Sequence, residues 1–162
     1  MGFGRRDRRE RNRGATFFDV EGKAMRFLSQ RDHSEGEMRR KLRDQGYPGE
    51  HIDAVIREFL EMGYLNDDHA AAGLVRILMR ERWGPSQIRA KMRKREFRAE
   101  TIDAALEEHE LDEDVWVEAA RERVTSKFRK EPSEFDQSEK EKAFRHLMYR
   151  GFSGNHARKV LF

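Results

Sequence analysis

One apolar pattern recurs three times along this chain, and it constrains the fold more than any other feature of the sequence. In each copy, two apolar residues four apart precede an aromatic residue, and an apolar stripe at spacings of three and four follows. The aromatic residues are Tyr47, Phe97 and Phe152. A repeat of roughly 50 residues indicates a helical array, in which each unit buries its apolar face against a neighbour.

The first copy predicts where individual helices begin and end. Ser34 is a typical N-cap, and Glu37 three residues later predicts a capping box. Gly46 ends that helix and Gly63 ends the next. The apolar residues between these signals fall on one face of each helix: Met38, Leu42, Ile52, Val55, Ile56 and Phe59.

The repeats predict an all-α fold, an elongated tandem array of three three-helix units that resemble helix-turn-helix domains. The predicted divisions are an Arg-rich disordered arm over 1–16 and repeats over 17–66, 67–111 and 112–162. Each repeat opens with an amphipathic helix, and its inward-facing residues are predicted to be Val20, Ala24, Phe27 and Leu28, then Leu74, Ile77 and Leu78, then Trp116, Ala120 and Val124. Because the aromatic residues recur at repeat positions, we assign them to the core rather than to base stacking: Phe27, Tyr47, Phe59, Phe97, Phe144 and Phe152.

Charge is strongly segregated along the chain. Charged residues make up 40% of the sequence and the net charge is +3. Residues 5–13 contain six Arg and two acidic residues, 76–98 contain nine basic and two acidic residues, and 99–118 contain nine acidic and no basic residues. Blocks of opposite sign favour a charged partner such as nucleic acid or a charged protein surface. The alternative is that helices with narrow apolar stripes simply carry solvated charged faces.

The middle basic block is the predicted partner-binding surface. Its residues are predicted to contact the partner through their positive charge: Arg76, Arg80, Arg82, Arg89, Lys91, Arg93, Lys94 and Arg95. The Arg-rich stretch over 1–16 could hold phosphates or be an untethered terminus, and the sequence leaves both open.

The sequence contains little that would support catalysis, a metal site or a membrane. It has no Cys, no Gly-rich phosphate loop, and no His pair at the spacings of helical metal sites. No apolar run approaches the roughly 18–20 residues that cross a bilayer. We therefore expect a cytoplasmic protein that is not an enzyme, with no cofactor, no metal, no small-molecule substrate and no membrane partner.

Four segments in register resemble the RecX family of bacterial recombination regulators. They are RDHSEGEMRRKL from Arg31, GYLNDD from Gly63, WGPSQIRAKMR from Trp83 and MYRGF from Met148, and the resemblance covers about 20–162. It implies three tandem three-helix units and a partner, the filament that the RecA recombinase forms on single-stranded DNA. It also implies inhibition of the recombinase, ATPase and coprotease activities of RecA, with single-stranded DNA contacted directly or through the filament. The resemblance transfers no contact residues, and one turn departs from the pattern, since Glu96 replaces glycine before Phe97.

Two other functions compete with this interpretation. The first is a sequence-tolerant DNA-binding protein, in which the basic helix after Trp83 reads a groove; its DNA affinity would fall steeply with salt in the absence of any protein partner. The second is a scaffold that binds another protein through the repeats, independently of DNA. The acidic run over 100–118 disfavours a long DNA-facing surface.

Overall fold

Every regular element in the described part of the chain is helical. The computed structural model describes residues 3–110 and 112–162, and within these ranges it has ten α-helices, one 3-10 turn at Pro132–Glu134 and no strand. The predicted all-α class is confirmed. Residues 1, 2 and 111, where the predicted arm begins and the predicted second repeat ends, lie outside the described residues.

After a first helix, the helices occur in the predicted order. The predicted first repeat contains α2 (Phe17–Gln30), α3 (Glu35–Asp44) and α4 (Gly49–Glu61). The predicted second repeat contains α5 (Asp67–Arg80), α6 (Pro85–Lys94) and α7 (Ala99–Glu110), and the predicted third repeat contains α8 (Glu113–Phe128), α9 (Gln137–Tyr149) and α10 (Gly154–Leu161). The first helix, α1, covers Phe3–Asn12. The predicted boundaries between repeats remain a prediction.

The chain forms two compact units. The first comprises the residues up to Ala70 together with Arg95–Phe97. In it α2, α3 and α4 pack against one another, and Tyr47 and Leu28 pack on the edge of the core. The core residues are those of the predicted apolar stripes, joined by Leu65: Val20, Ala24, Phe27, Met38, Leu42, Ile52, Val55, Ile56 and Phe59.

The second unit comprises Ala71–Lys94 and Arg98–Phe162. In it α6 packs on α7, α7 on α8, and α8, α9 and α10 on one another. Its buried side chains again follow the predicted stripes: Leu74, Leu78, Ile88, Met92, Ile102, Leu106, Trp116, Ala120, Val124, Ala143, Leu147, Phe152, Val160 and Leu161. The largest buried side chain of the chain is Trp116, whose indole N–H donates to the carbonyl of His109 at 2.9 Å. Ile77 is an exception, since it is 49% exposed and not inward-facing as predicted.

The predicted capping box at the start of α3 is only half formed. Ser34 Oγ accepts a hydrogen bond from the Glu37 N–H at 3.0 Å, as an N-cap does. The Glu37 carboxylate instead accepts from the Arg31 guanidinium, at 2.9 Å from Nη1. Burial alone would raise the pKa of Glu37, but the Arg31 hydrogen bonds outweigh it and lower the pKa below its usual range. Arg31, which lies only six residues before Glu37, therefore binds the carboxylate that the local pattern assigns to the cap.

In place of the disordered arm expected over 1–16, the structure has helix α1 on the end of α3. Arg9 Nε donates to the carbonyl of Asp44 at 3.0 Å, and Asn12 Nδ2 donates to the carbonyl of Gln45 at 2.8 Å. The last carbonyls of a helix lack partners within it and carry its negative dipole end, so a cationic donor is favourable there. The composition of the arm does not reveal these acceptors, which lie about 35 residues away along the chain.

The turns between the second and third helices share one backbone feature in all three repeats. Its central residue has a positive φ, which is 86° at Gly46, 59° at Glu96 and 90° at Gly151. Glu96 therefore keeps the left-handed conformation even though it lacks the freedom of glycine.

A preceding element contacts each of these turns. Arg9 of α1 lies against the turn at Gly46. Ser34 Oγ donates to the carbonyl of Arg95, next to the turn at Glu96. At the third turn, the N–H of Gly84 donates to Arg150 and that of Ser86 donates to Gly151, at 2.8 and 3.2 Å. The start of the second helix thus meets the following turn in the same way within each unit.

Candidate partner-binding surface

The structure divides the eight predicted contact residues between the two units. Arg95 belongs to the first unit, and the other seven belong to the second. Arg76 and Arg80 lie four residues apart on α5, Arg82 follows its end, and the remaining four lie on α6: Arg89, Lys91, Arg93 and Lys94.

Arg89 and Arg82 are held in ion pairs with acidic residues of neighbouring helices. The Arg89 guanidinium pairs with the carboxylate of Asp103 on α7. The corresponding pair, between Arg39 and Asp53, occurs in the first unit at the equivalent repeat positions. Because this ion pair recurs with the repeat, we assign Arg89 a structural role in joining the second helix to the third.

Arg82 has a left-handed backbone, and its Nε lies 2.8 Å from Oε2 of Glu122. This pair involves half-exposed side chains, so it contributes little stability on its own. It does lower the positive charge that Arg82 presents to a partner.

Lys91 belongs to a stack around Trp83. Its Nζ lies 3.9 Å from the centre of the Trp83 ring, and Arg150 Cζ lies 3.3 Å from the same centre. Arg150 is only 9% exposed, and its Nη2 donates to the carbonyls of Glu81 and Arg82, at 2.6 and 3.1 Å. Burial and the neighbouring Arg123 lower the pKa of Arg150, although Glu81 opposes them. The guanidinium nevertheless remains charged at neutral pH, and it satisfies the carbonyls that end α5.

Four of the eight residues are exposed cations that form no ion pair with any residue the structure describes. They are Arg76, Arg80, Arg93 and Lys94. Arg95 differs from them, since it is half-buried, its carbonyl accepts a hydrogen bond from Ser34, and it has further interactions. These four are both exposed and unpaired, so their charge is available to a partner.

An exposed apolar side chain lies between two of these cations. Arg80 follows Arg76 by four residues and Ile77 by three, so it neighbours both of them on the exposed side of α5. A face with two cations and an isoleucine fits a partner that offers both anionic groups and apolar surface. Sequence reasoning placed Ile77 in the core because its spacing from Leu74 also fits an inward stripe.

Sequence reasoning also missed the groups that hold the block together. The recurrence of Arg39 with Asp53 and of Arg89 with Asp103 is readable from the sequence, because both pairs have the same separation and lie one repeat apart. The Trp83–Arg150 stack has no such signal, since its partners are far apart in the chain. Among the described residues, no three His, Asp or Glu side chains are close enough to bind a metal ion.

Comparison with protein families identifies two parts of the chain. The model of the first three-helix domain of RecX matches residues 22–59, and that of the third three-helix domain matches residues 113–161. The two matches together cover more than half of the sequence.

Curated relatives cover most of the chain. A protein called regulatory protein RecX from Vibrio cholerae is 37% identical over 138 residues, which is 85% of this chain and 88% of the relative. Proteins of the same name from Salmonella paratyphi A and Escherichia coli are 38% and 36% identical, each over 80% of this chain and 82% of the relative.

Solved structures share the fold. A crystal structure of a regulatory protein RecX has a TM-score of 0.73 at 21% identity, and the match covers 89% of this chain and 70% of that one. A crystal structure of RecX from Lactobacillus salivarius has a TM-score of 0.74 at 19% identity, covering 90% and 94%. These similarities confirm the predicted helical repeat. Within the described residues, no helix is both long and apolar enough to span a bilayer.

Proposed function

The chain belongs to the RecX family of regulatory proteins, and from this membership we propose that it binds the RecA–single-stranded DNA filament and inhibits RecA. The activities inhibited would be the recombinase, ATPase and coprotease activities. In this proposal the protein acts in the cytoplasm as a regulator rather than an enzyme, and uses no cofactor.

The observation that carries the proposal is the exposed face of α5 formed by Arg76, Ile77 and Arg80. Two unpaired cations beside an exposed apolar side chain suit a surface composed of both protein and nucleic acid. Arg93 and Lys94 in the last turn of α6 add two further cations. We propose these four cations as the contact residues, and we retain Arg82, Arg89, Lys91 and Arg95 as residues that shape the surface.

The geometry of α6 disfavours the alternative of a groove-reading DNA-binding protein. In helix-turn-helix proteins the N-terminal residues of the recognition helix contact the base edges. Here the turn after α9 lies against the start of α6, because the N–H groups of Gly84 and Ser86 donate to the carbonyls of Arg150 and Gly151. Its exposed, unpaired cations, Arg93 and Lys94, lie at the opposite end of the helix.

The test is the DNA-dependent ATPase of RecA on single-stranded DNA, titrated with this protein. We expect the wild-type chain to lower the rate. The double variants R76E/R80E and R93E/K94E should each need about tenfold more protein for half-inhibition, because charge reversal at an interface weakens association. The loss should be larger at low salt, since the Debye length is about 10 Å at 0.1 M.

K142E/R145E is the matched control for these variants. Both of its residues are exposed on α9, and the change in charge is the same. Circular dichroism should give the wild-type helicity for all three variants. If the control loses inhibition as much as the α5 and α6 variants, the assigned surface is wrong, and total charge explains the effect.

The stoichiometry of inhibition distinguishes two modes of action. A decline in ATPase rate at substoichiometric amounts would favour action at filament ends or propagation along the filament. A decline only near one molecule per RecA would favour occupancy of the filament groove. If the chain binds DNA but leaves the ATPase unchanged, the inhibitor function is excluded, and direct DNA binding becomes the better interpretation.

A further inference from the structure

Helix α1 is fixed in place by main-chain contacts with the end of α3. Arg9 and Asn12 donate to the carbonyls of Asp44 and Gln45, and the backbone of Arg9 lies against Gly46. A Cβ at Gly46 would lie 2.6 Å from the Arg9 Cα, so only glycine permits this approach. The Arg-rich segment is thus positioned on a specific site of the first unit.

This contact creates a basic pocket between α1 and α3. The pocket has a volume of about 320 Å³ and is lined by Arg8, Arg9, Lys41, Asp44 and Gln45. Ligand pockets range from about 300 to 1,000 Å³, so the volume suits a small anionic group such as a phosphate with its sugar. Three of the five lining residues are cationic and one is anionic.

The cations that line the pocket do not form ion pairs with the acid that lines it. Arg8 is exposed and forms no ion pair with a described residue. Asp44, the single acid in the wall, pairs with Arg40, with 3.4 Å between Arg40 Nη1 and Asp44 Oδ2. None of the three cations of the pocket forms an ion pair with a described residue, so an anion that enters the pocket would meet all three of them.

Lys41 is held in the wall by contacts that leave its charge uncompensated. Its Nζ lies 2.9 Å from His33 Nε2 and 4.0 Å from the centre of the Phe27 ring. Burial lowers the pKa of Lys41, and the nearby Arg31 and Arg40 lower it further, against the opposing effect of Glu37. A phosphate next to Lys41 would stabilise its charged form.

We propose that this pocket binds a backbone phosphate of single-stranded DNA. Arg and Lys side chains are common ligands of phosphate, Arg through its planar fork of donors and Lys as a point charge. A polynucleotide is favoured over an isolated anion because exposed cations continue beyond the pocket at Arg11, near the end of α1, and at Arg13, just after it. The choice of DNA rests on the function proposed above, and the pocket gives the strand a direct contact that is independent of the α5 face.

The test is fluorescence anisotropy of a labelled oligo-dT with the full chain and no RecA. We expect R8S and K41Q each to weaken binding about threefold to tenfold at low salt, because each removes one phosphate contact. Each should also reduce the slope of log affinity against log salt, by at most about 0.7, which is the value for one neutralised phosphate of a single strand. R6S removes the same charge from the same helix outside the pocket, so it should leave affinity and slope nearly unchanged.

A variant that strengthens binding excludes loss of structure as the explanation. D44N removes the anion from the pocket wall while keeping the carbonyl that accepts from Arg9, so it should bind oligo-dT more tightly. D32N neutralises an exposed acid outside the pocket and serves as its matched control. Equal losses of oligo-dT affinity in R8S and R6S would contradict the proposed phosphate site. Equal affinities of D44N and D32N for oligo-dT would contradict it as well.

Two further outcomes separate the pocket from the alternatives. Displacement of oligo-dT by dTMP at equal nucleotide concentration would overturn the assignment to a strand and indicate a site for an isolated phosphate. The wild-type chain could fail to inhibit the RecA ATPase while oligo-dT binding still depends on Arg8, Lys41 and Asp44. That result would contradict the proposed function and support the phosphate site in the pocket. If the wild-type chain inhibits the RecA ATPase but these variants bind oligo-dT like the wild type, the phosphate site in the pocket is contradicted and the proposed function is supported.

Discussion

At the scale of single residues, the turn at Glu96 carries a conformational strain that the other two repeats avoid. Glu96 has a φ of 59°, where Gly46 and Gly151 stand at the equivalent turns. An L-residue in this region costs about 1–2 kcal/mol. Glu96 is retained there with an ion pair to Arg40 at 2.7 Å, although both side chains are too exposed for the pair to offset much of that cost.

Two substitutions at this turn separate the backbone strain from the ion pair. Both E96A and E96G remove the carboxylate, but only E96G removes the penalty for a positive φ. We expect E96G to have a free energy of unfolding about 1 kcal/mol higher than E96A, measured by urea denaturation. Equal stabilities for the two variants would mean that the turn relaxes to another conformation when the carboxylate is lost.

At the scale of helices, the start of α6 is joined to the turn after α9 by direct backbone contact. The N–H of Gly84 donates to the carbonyl of Arg150, and Ser86 Oγ donates to that of Gly151 at 3.1 Å. Such close approach requires that residue 84 have no side chain. A Cβ there would lie 2.3 Å from the carbonyl carbon of Gly151 and from the nitrogen of Phe152.

We therefore expect G84A to lower the free energy of unfolding by at least about 1–3 kcal/mol, the usual cost of overpacking. G22A is the matched control, because Gly22 lies inside α2 and a Cβ there would meet nothing within 4 Å. It should raise stability by about 0.5–1 kcal/mol through helix propensity. Thermal melts followed by circular dichroism measure both variants, and a stable G84A protein would contradict the junction described here.

At the scale of the whole molecule, three histidines couple stability to pH, one in the first unit and two in the second. Burial lowers the pKa of His33, His146 and His156, with Arg123 adding to the effect at His146. His33 Nδ1 also lies 2.9 Å from the carbonyl of Arg31. A neutral ring in which Nδ1 donates there and Nε2 accepts from Lys41 satisfies both contacts.

A lowered pKa in the folded state means that the unfolded chain binds more protons near and below pH 6.5, the ordinary value for histidine. The stabilisation is therefore complete above that pH and is lost as the pH falls towards the folded-state values. We expect the free energy of unfolding to decrease between about pH 7.5 and 5.5 and H33Q to reduce this decrease. Urea denaturation at several pH values between about 7.5 and 5.5 measures this free energy. If it does not change with pH in the wild type, the histidines do not couple stability to pH.

The local signals in the sequence were sufficient for helices α2 to α10 and for most of the core, but not for α1. Apolar spacing and capping residues act over one or two helical turns, so they are readable without knowledge of the fold. The repeats, the turn glycines and most buried residues were predicted in this way. The middle basic block could also be recognised in the sequence. Composition, however, does not distinguish a cation that forms an ion pair from one that does not.

Only the tertiary structure decided which charged groups are engaged and which are available. Arg89 forms an ion pair with Asp103 of α7, and Arg150 donates to carbonyls of the turn after α5. Arg76 and Arg80, in contrast, remain exposed beside Ile77. The position of helix α1 is likewise fixed by hydrogen bonds to two carbonyls at the end of α3, and not by an apolar pattern of its own. Hydrogen bonds and ion pairs between distant segments depend on how helices meet in space, and no short window of sequence contains that information.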